Sequence, residues 1–183
     1  MRVSKDSEER KQELIDTAEK LFSEKGIANT AISAIVKELN VAQGLFYYYF
    51  KSKDDVIEAI SKKYNDEFKR KIMNDISSDD FEKDFEQFII NVTKAFDEML
   101  QKLDDEKLLP ISYKSLESCK KEASEKLEAI FQEGIDEDKL NIKDPSRYAD
   151  VIISGISDLI AKGINSVDEI SEIVDELLES KRK

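Results

Sequence analysis

Only five glycines and two prolines interrupt this chain of 183 residues. Glycine and proline supply most of the tight turns that connect β-strands, so such a small number argues against a sheet protein. Apolar residues recur instead at spacings of three and four, as in Leu14, Ala18, Leu21 and Phe22, which is the period of an amphipathic helix. The sequence therefore predicts an all-α protein of about nine helices.

Three short helices are predicted in the N-terminal part of the chain. The first is expected at Glu8–Lys25, where Gly26 ends it. Thr30 is expected to be the N-cap of the second helix, and Asn40 is expected to turn the chain and cap a third helix at about 42–48. Three helices with a tight turn between the second and the third form the helix-turn-helix layout.

Six further helices are predicted in the rest of the chain. Ser52, Asp144 and Ser166 are the expected N-caps of three of these helices. Pro110 is expected to interrupt the helical pattern. The polar run 77–80 separates the fourth helix from the fifth. The predicted ranges are 53–76, 81–103, 111–119, 121–134, 145–163 and 167 to the C-terminal Lys-Arg-Lys.

The net charge of −12 is unevenly distributed. Residues 1–55 carry nine Lys or Arg against ten Asp or Glu, whereas residues 56–183 carry 20 against 31. Phosphate binding depends on local cations, so a nearly neutral N-terminal region on an acidic body is compatible with DNA binding. We expect a moderate affinity for non-specific DNA, because this region is not strongly basic.

The chain contains no histidine and one cysteine, Cys119. Without histidine it lacks the commonest general base and the usual metal ligand, and one cysteine forms neither an intrachain disulfide nor a cysteine metal cluster. We therefore expect no enzyme and no cofactor or metal. No apolar run approaches the roughly 18 residues of a membrane span, and the N-terminus lacks the apolar segment of a secretory signal. A cytoplasmic protein is expected.

The stretch from Tyr148 to Ile164 is apolar or small around most of its circumference. Such a helix is either the central helix of a monomer or packs inward on one face and against a second subunit on the other. The next helix is amphipathic, so two helices from each of two subunits would build a symmetric interface. We favour a homodimer, with an interface formed by Ile152, Gly155, Ile156, Leu159, Ile170, Val174 and Leu177.

The stretch from Thr30 to Ile60, TAISAIVKELNVAQGLFYYYFKSKDDVIEAI, resembles the TetR family of bacterial transcriptional regulators. The residues that carry the resemblance are Thr30, Ile35, Val41, Ala42, Gln43, Gly44, Leu45, Phe46, Tyr47, Phe50, Ser52, Lys53 and Asp54. The resemblance implies a helix-turn-helix DNA-binding domain at 1–52. It also implies a helical ligand-binding and dimerisation domain at 53–183.

The resemblance also implies which side chains contact double-stranded operator DNA. Tyr47 would place its hydroxyl on a phosphate, Lys53 would reach a phosphate from the start of its helix, and Gly44 would permit close approach. A Tyr47 packed between helices and a merely solvated Lys53 are the alternatives. Arg2 and Lys5 could add a flexible arm. The predicted DNA-binding residues are Thr30, Ala42, Gln43, Gly44, Leu45, Tyr47, Tyr48 and Lys53.

Four of these positions depart from the family pattern. Ala42, Gln43, Leu45 and Tyr48 stand where a small hydroxyl residue, a lysine, a threonine and a histidine are common, so no cationic base reader remains on the third helix. Gln43 can bond bidentately to adenine, and the apolar side chains can meet thymine methyl groups. We predict an A·T-biased operator, read mainly by Gln43.

A small-molecule effector is a further implication of the resemblance. Aromatic residues on the fifth helix and its neighbours could line a cavity for an apolar or amphipathic ligand, although the same stripe could be plain core. Thr93 is among the polar groups that could orient such a ligand. The candidate lining residues are Tyr64, Phe68, Phe85, Phe88, Val92, Phe96, Tyr113 and Phe131.

These features together predict a ligand-responsive repressor. As a homodimer it would hold two recognition helices about 34–36 Å apart on a pseudo-palindromic operator. An effector that favours another spacing would release it. The alternative is a DNA-binding dimer without small-molecule control, with an architectural or partner-regulated role.

Overall fold

The computed structural model describes residues 7–76, 80–103 and 105–182, and these residues fold almost entirely as helices. Within these ranges the β-structure is confined to an isolated bridge between Leu140 and Arg182. Two 3-10 turns, Glu106–Leu108 and Glu179–Lys181, accompany the α-helices. The α-helices are Ser7–Lys25 (α1), Ile32–Glu38 (α2), Gln43–Tyr49 (α3), Lys53–Ile72 (α4), Phe81–Leu103 (α5), Leu109–Asp136 (α6), Pro145–Ala161 (α7) and Val167–Leu178 (α8). The all-α prediction is confirmed.

The described residues form eight α-helices rather than the nine predicted, and the difference arises at α6. The predicted break between Cys119 and Lys121 was wrong, and one helix replaces the two expected there. Pro110 does not interrupt this helix, because it is the second residue, where a backbone N–H has no partner to lose. The helix also continues past Gly134. A Cβ at that position would lie 2.7 Å from the Phe81 ring, so glycine is required for close packing and does not mark a helix end.

Four predicted helix ends are confirmed. Gly26 follows α1 with φ +85°, a conformation that glycine adopts without strain. The Ser52 hydroxyl accepts from the Asp55 N–H (3.2 Å) at the start of α4. Asp144 and Ser166 are the N-caps of α7 and α8 and accept backbone N–H groups three residues on. Arg2, Lys5 and the predicted separator 77–79 lie outside the described residues.

The described chain divides into two compact units. The first contains the residues up to Tyr64 together with Leu103–Ser115. Its internal contacts show why the second segment belongs to it, since the Ile27 N–H donates to the Lys107 carbonyl (3.4 Å) and Lys107 Nζ donates to the Ser23 carbonyl (3.2 Å). The core of this unit includes Leu14, Ala18, Leu21, Phe22, Ile35, Val36, Phe46, Phe50, Val56 and Ile60.

The second unit contains Asn65–Lys102 and the chain from Leu116 onward. Aromatic rings dominate its core: the Phe68 and Phe96 centroids lie 4.8 Å apart, and the Phe85 and Phe131 centroids 5.8 Å apart. None of the helices in the described residues combines the length and hydropathy that a membrane crossing requires.

Candidate nucleic-acid interface

The turn between α2 and α3 depends on Asn40. This residue has φ 53°, a left-handed conformation that asparagine tolerates better than most residues. Its N–H donates to the Lys37 carbonyl (3.0 Å), and the Val41 N–H donates to the Val36 carbonyl (2.9 Å). These two bonds form a Schellman motif, which ends α2 and redirects the chain into α3. Asn40 therefore closes α2 and does not cap α3 as predicted.

Helix α3 is held by two buried phenylalanines. Phe46 is fully buried, Phe50 is 4% exposed, and their ring centroids lie 5.7 Å apart. Ala42 occupies the N-cap position without a side-chain hydrogen bond. Because the phenylalanines fix one face of the helix inward, the opposite face is exposed. The exposed residues are Ala42, Gln43, Gly44, Tyr47 and Tyr48, and Leu45 is half-buried.

The exposed face of α3 is polar and aromatic but carries no charge. Tyr47 and Tyr48 are 51% and 74% exposed, so each presents a ring and a hydroxyl to solvent. A Cβ added at Gly44 would meet nothing within 4 Å among the described residues, so this glycine leaves open space beside the helix. The exposed lysines Lys37 and Lys51 flank the helix in sequence. This arrangement fits a major-groove helix whose phosphate contacts come from its flanks.

Thr30 does not have the predicted role. The N-cap of α2 is Ala31, and Thr30 is 1% exposed. Its Oγ1 lies 2.8 Å from the Gly26 carbonyl oxygen and 3.2 Å from that of Leu21. The hydroxyl therefore stabilises the turn after α1, and the predicted DNA contact of Thr30 stays a prediction.

Lys53 also has a structural partner. Its Nζ donates to the carbonyls of Ile27 (2.6 Å) and Thr30 (3.1 Å), in the turn between α1 and α2. Two of the three ammonium protons are thus directed at the backbone of the protein. The predicted phosphate contact stays a prediction, while the geometry assigns Lys53 to holding this turn on the start of α4.

A polar cluster that was not predicted joins α1 to α4. Lys63 Nζ donates to Asp16 and Glu19 (both 2.8 Å), and the Tyr64 hydroxyl donates to Glu19 (2.5 Å). Burial opposes the charge of Lys63, but the two carboxylates outweigh it and raise the pKa of the ammonium. The hydroxyl of Tyr64 thus joins these two helices, and its predicted place in a ligand cavity stays a prediction.

The other predicted ligand-binding residues are mostly core. Tyr113 is 75% exposed and cannot line an enclosed cavity as predicted. The described cavities include an open groove of about 650 Å³ between α4 and α5, lined by polar and charged side chains such as Arg70 and Asn91. The predicted lining residues that are buried in the second unit are Phe68, Phe85, Phe88, Val92, Phe96 and Phe131.

The buried polar groups of this second unit include Thr93 and Cys119. Thr93 is fully buried, and its hydroxyl has no hydrogen-bond partner among the described residues. The Cys119 thiol contacts the Asn65 side chain (3.6 Å), and burial raises its pKa to about 12. A protonated, buried thiol is unreactive. In the described ranges, no three His, Cys, Asp or Glu side chains are arranged to hold a metal ion.

The predicted dimerisation residues separate into two groups. Gly155 and Leu177 are exposed, Leu159 is half-buried, and Val151, which was not predicted, is 69% exposed. The predicted interface was therefore wrong in part, because the apolar pattern does not distinguish a residue facing its own core from one facing a partner. The four predicted residues that lie in the core of the protomer are Ile152, Ile156, Ile170 and Val174.

The helical trio, the left-handed turn before α3 and the exposed face of that helix define a helix-turn-helix motif. Residues 14–60 match the family model "Bacterial regulatory proteins, tetR family". Over these residues the chain is similar to this family.

The relatives in sequence are concentrated in the N-terminal part. The chain is 41% identical over 69 residues to the HTH-type transcriptional regulator HbdR of Aromatoleum sp. (strain CIB), which is 38% of this chain and 30% of HbdR. It is 33% identical over 112 residues to the HTH-type transcriptional regulator SAB2452 of Staphylococcus aureus (strain bovine RF122 / ET3-1), 58% of this chain and 55% of that protein. The chain thus spans about half or less of the curated relatives it matches.

The fold likeness extends over the whole chain. The structure titled SmeT-Triclosan complex matches with a TM-score of 0.66 at 17% identity, covering 95% of this chain and 92% of that chain. A TetR-family transcriptional regulator from Pectobacterium atrosepticum matches with a TM-score of 0.66 at 19% identity, covering 99% and 98%. These likenesses show that the C-terminal helices share the fold of these solved structures.

Proposed function

We propose that the chain is a transcriptional repressor that binds a pseudo-palindromic operator as a homodimer and is released by a small apolar or amphipathic effector. The observation that carries the proposal is the exposed, uncharged face of α3, fixed by the buried Phe46 and Phe50 within the family-matched segment. Operator binding implies that the protein works in the cytoplasm, where bacterial DNA lies.

Gln43 is the principal base reader in this proposal. Its exposed amide can form a bidentate pair with adenine, and Ala42 and Leu45 can contact thymine methyl groups. Each such pair contributes about 1–3 kcal/mol to base discrimination, so Gln43→Ala should remove the adenine preference at one position in each half-site. Selection from a random duplex library measures this, with the distant Gln132→Ala as a control. A G·C-rich selected half-site contradicts the assignment.

The homodimer would form through the exposed apolar residues of α7 and α8. Val151 and Leu177 are 69% and 58% exposed, so each helix presents an apolar side chain that a partner could cover. Val151→Lys should give a monomer by light scattering coupled to gel filtration. Ser146→Lys adds the same charge to an exposed position on α7 and should leave the dimer intact. A wild-type monomer at micromolar concentration contradicts this part of the proposal.

Thr93 supports an effector site in the second unit. A buried hydroxyl without a partner in the described residues costs about 1–3 kcal/mol, and an amphipathic ligand that bonds to it would recover part of that cost. The matching structure of SmeT was solved with triclosan, and we infer that this chain also binds a small molecule. Thr93→Val keeps the side-chain shape, so it should stabilise the free protein and weaken the thermal shift produced by an effector.

An effector acts by binding one of two conformations more tightly. A tenfold loss of operator affinity requires a differential affinity of about 1.4 kcal/mol. Gel shifts with the DNA upstream of the protein's own gene test operator binding. Repeating them with a panel of metabolites and drugs tests release by an effector. Release by a panel compound supports the repressor.

The second candidate is a DNA-binding dimer without small-molecule control. The close aromatic contacts of Phe68 with Phe96 and of Phe85 with Phe131 favour it, because rings in contact leave no room for a ligand between them. A specific gel shift that no compound alters, together with a flat thermal-shift screen, would support this candidate.

A further inference from the structure

Tyr49 is the one aromatic residue of α3 that neither fills the core nor lies fully exposed. It is half-buried, between the exposed Tyr48 and the buried Phe50. Its hydroxyl lies 3.2 Å from the hydroxyl of Ser7, the first residue of α1, and the two form a hydrogen bond. This bond joins residues 42 positions apart in sequence, so it ties the beginning of α1 to the end of the recognition helix.

The Tyr49 ring also supports Tyr48. Their centroids lie 4.8 Å apart with an interplanar angle of 88°, an edge-to-face contact. Tyr48 is 74% exposed, and an exposed tyrosine without such a contact samples several rotamers. A contact of this type favours one rotamer by about two- to tenfold. Tyr48 is therefore partly oriented before any DNA arrives.

We propose that Tyr49 is a positioning residue for DNA recognition: anchored by Ser7, it orients the ring of Tyr48 towards the base edges. Tyr48 then contributes to sequence preference by apolar contact with a thymine methyl group or by its hydroxyl. Ser7 and Tyr49 affect discrimination without touching a base. This inference rests on the proposed function, because it requires that α3 reads DNA.

The direction of the effect follows from the lack of charge on this face. A residue that contacts phosphates changes the affinity for all sequences alike, whereas a residue that orients a base reader changes the ratio of specific to non-specific affinity. Tyr49→Phe removes the hydroxyl and keeps the ring beside Tyr48. It should lower this ratio about three- to tenfold, the range expected for one hydrogen bond. Affinity for non-specific duplex should not change.

The experiment uses the full-length chain and a duplex that the wild type selects from a random library. The dissociation constants for this duplex and for a scrambled duplex of equal length give the discrimination ratio. Ser7→Ala should reproduce Tyr49→Phe, Ser7→Thr should retain the wild-type ratio, and Ser7→Ala with Tyr49→Phe should be no worse than either alone. The exposed Ser118→Ala on α6 is the control for loss of a surface serine.

A second cycle shows whether Tyr49 acts through Tyr48. In a Tyr48→Ala background, Tyr49→Phe should have no further effect on the ratio, because the ring that it orients is absent. An unchanged ratio for Tyr49→Phe, or full additivity with Tyr48→Ala, overturns the inference while leaving the proposed function intact. If the wild type selects no sequence at all, the proposed function fails and the inference fails with it.

Discussion

Lys53→Met tests whether Lys53, the first residue of α4, stabilises the fold or binds DNA. Methionine keeps the length of the unbranched stem but cannot donate to the carbonyls of Ile27 and Thr30, which Lys53 Nζ contacts at 2.6 and 3.1 Å. A hydrogen bond from a charged donor contributes about 1.5–3 kcal/mol. Lys53 is only half-buried and water replaces part of this contribution, so we expect a total loss of about 2 kcal/mol.

The assay is urea and thermal unfolding without DNA, followed by circular dichroism. For a chain of this size, about 2 kcal/mol corresponds to a fall in Tm of about 4–8 °C. Lys51→Met is the matched control, because Lys51 is exposed, lies two residues away and carries the same charge. If both variants unfold at the same urea concentration, the structural role of Lys53 is refuted.

Operator binding then separates the two roles. The structural role predicts that Lys53→Met weakens binding to the same extent at low and high salt. A phosphate contact predicts instead that the slope of log affinity against log salt becomes shallower by about 0.9 for each protomer.

Three further predictions concern other residues. Lys102 and Lys71 hydrogen-bond to Glu67 and lower its pKa to about 2, and the resulting stabilisation is complete above about pH 4.5 and is lost as the pH falls towards 2. Glu67→Gln should therefore reduce the free energy of unfolding at pH 7 by roughly 1 kcal/mol, after allowance for solvent screening. The variant should also show a flatter dependence of stability on acid pH in urea titrations at several pH values. Gly134→Ala should destabilise the chain by about 1–3 kcal/mol in the same assay, because the added Cβ meets the Phe81 ring at 2.7 Å, and a more stable variant would contradict this packing. Lys51→Gln should reduce the salt slope of operator binding by about 1.8 per dimer, and an unchanged slope would remove it from the phosphate contacts.

The features that sequence reasoning predicted correctly depend on local chemistry. Gly26 at the end of α1 and Ser166 at the start of α8 each follow from a single residue type and its neighbours. Phe46 in α3 and Phe50, the residue that follows this helix, are four positions apart and are both buried. The buried phenylalanines determine which face α3 exposes.

The features that were missed depend on partners distant in sequence. Lys53 and Thr30 both bind backbone carbonyls in the turn after α1. The sequence does not show which backbone carbonyls lack a hydrogen-bond partner within a helix. A threonine before a helix resembles an N-cap and a lysine at a helix start resembles an anion contact. The three-dimensional turn assigns both to a different role. The same reasoning explains Tyr64, whose partner Glu19 lies 45 residues away.

The sequence also does not show which apolar residues face the core of the protomer and which are exposed for an interface. Periodicity shows that α7 is apolar on nearly every side, but only the fold shows that Ile152 and Ile156 face the protomer's own core while Val151 faces solvent. The dimer predicted from the pattern therefore includes the buried Ile152, one residue away from the exposed Val151. On a helix, one residue is a rotation of about 100°, enough to exchange a core position for a surface one.

The uncharged face of α3 has a consequence for how such a protein would find its operator. Non-specific DNA binding is almost wholly electrostatic, since it arises from counterions released by phosphate contacts. Here α3 supplies no cation, Lys53 is directed at carbonyls, and residues 56–183 carry an excess of eleven acidic groups. Non-specific binding should therefore be weak, while contacts from Gln43 and the tyrosines to base edges are largely independent of salt. A DNA-binding protein of this kind would spend little time on unrelated DNA, which favours selectivity. It would also associate with its operator more slowly, because electrostatic steering is small.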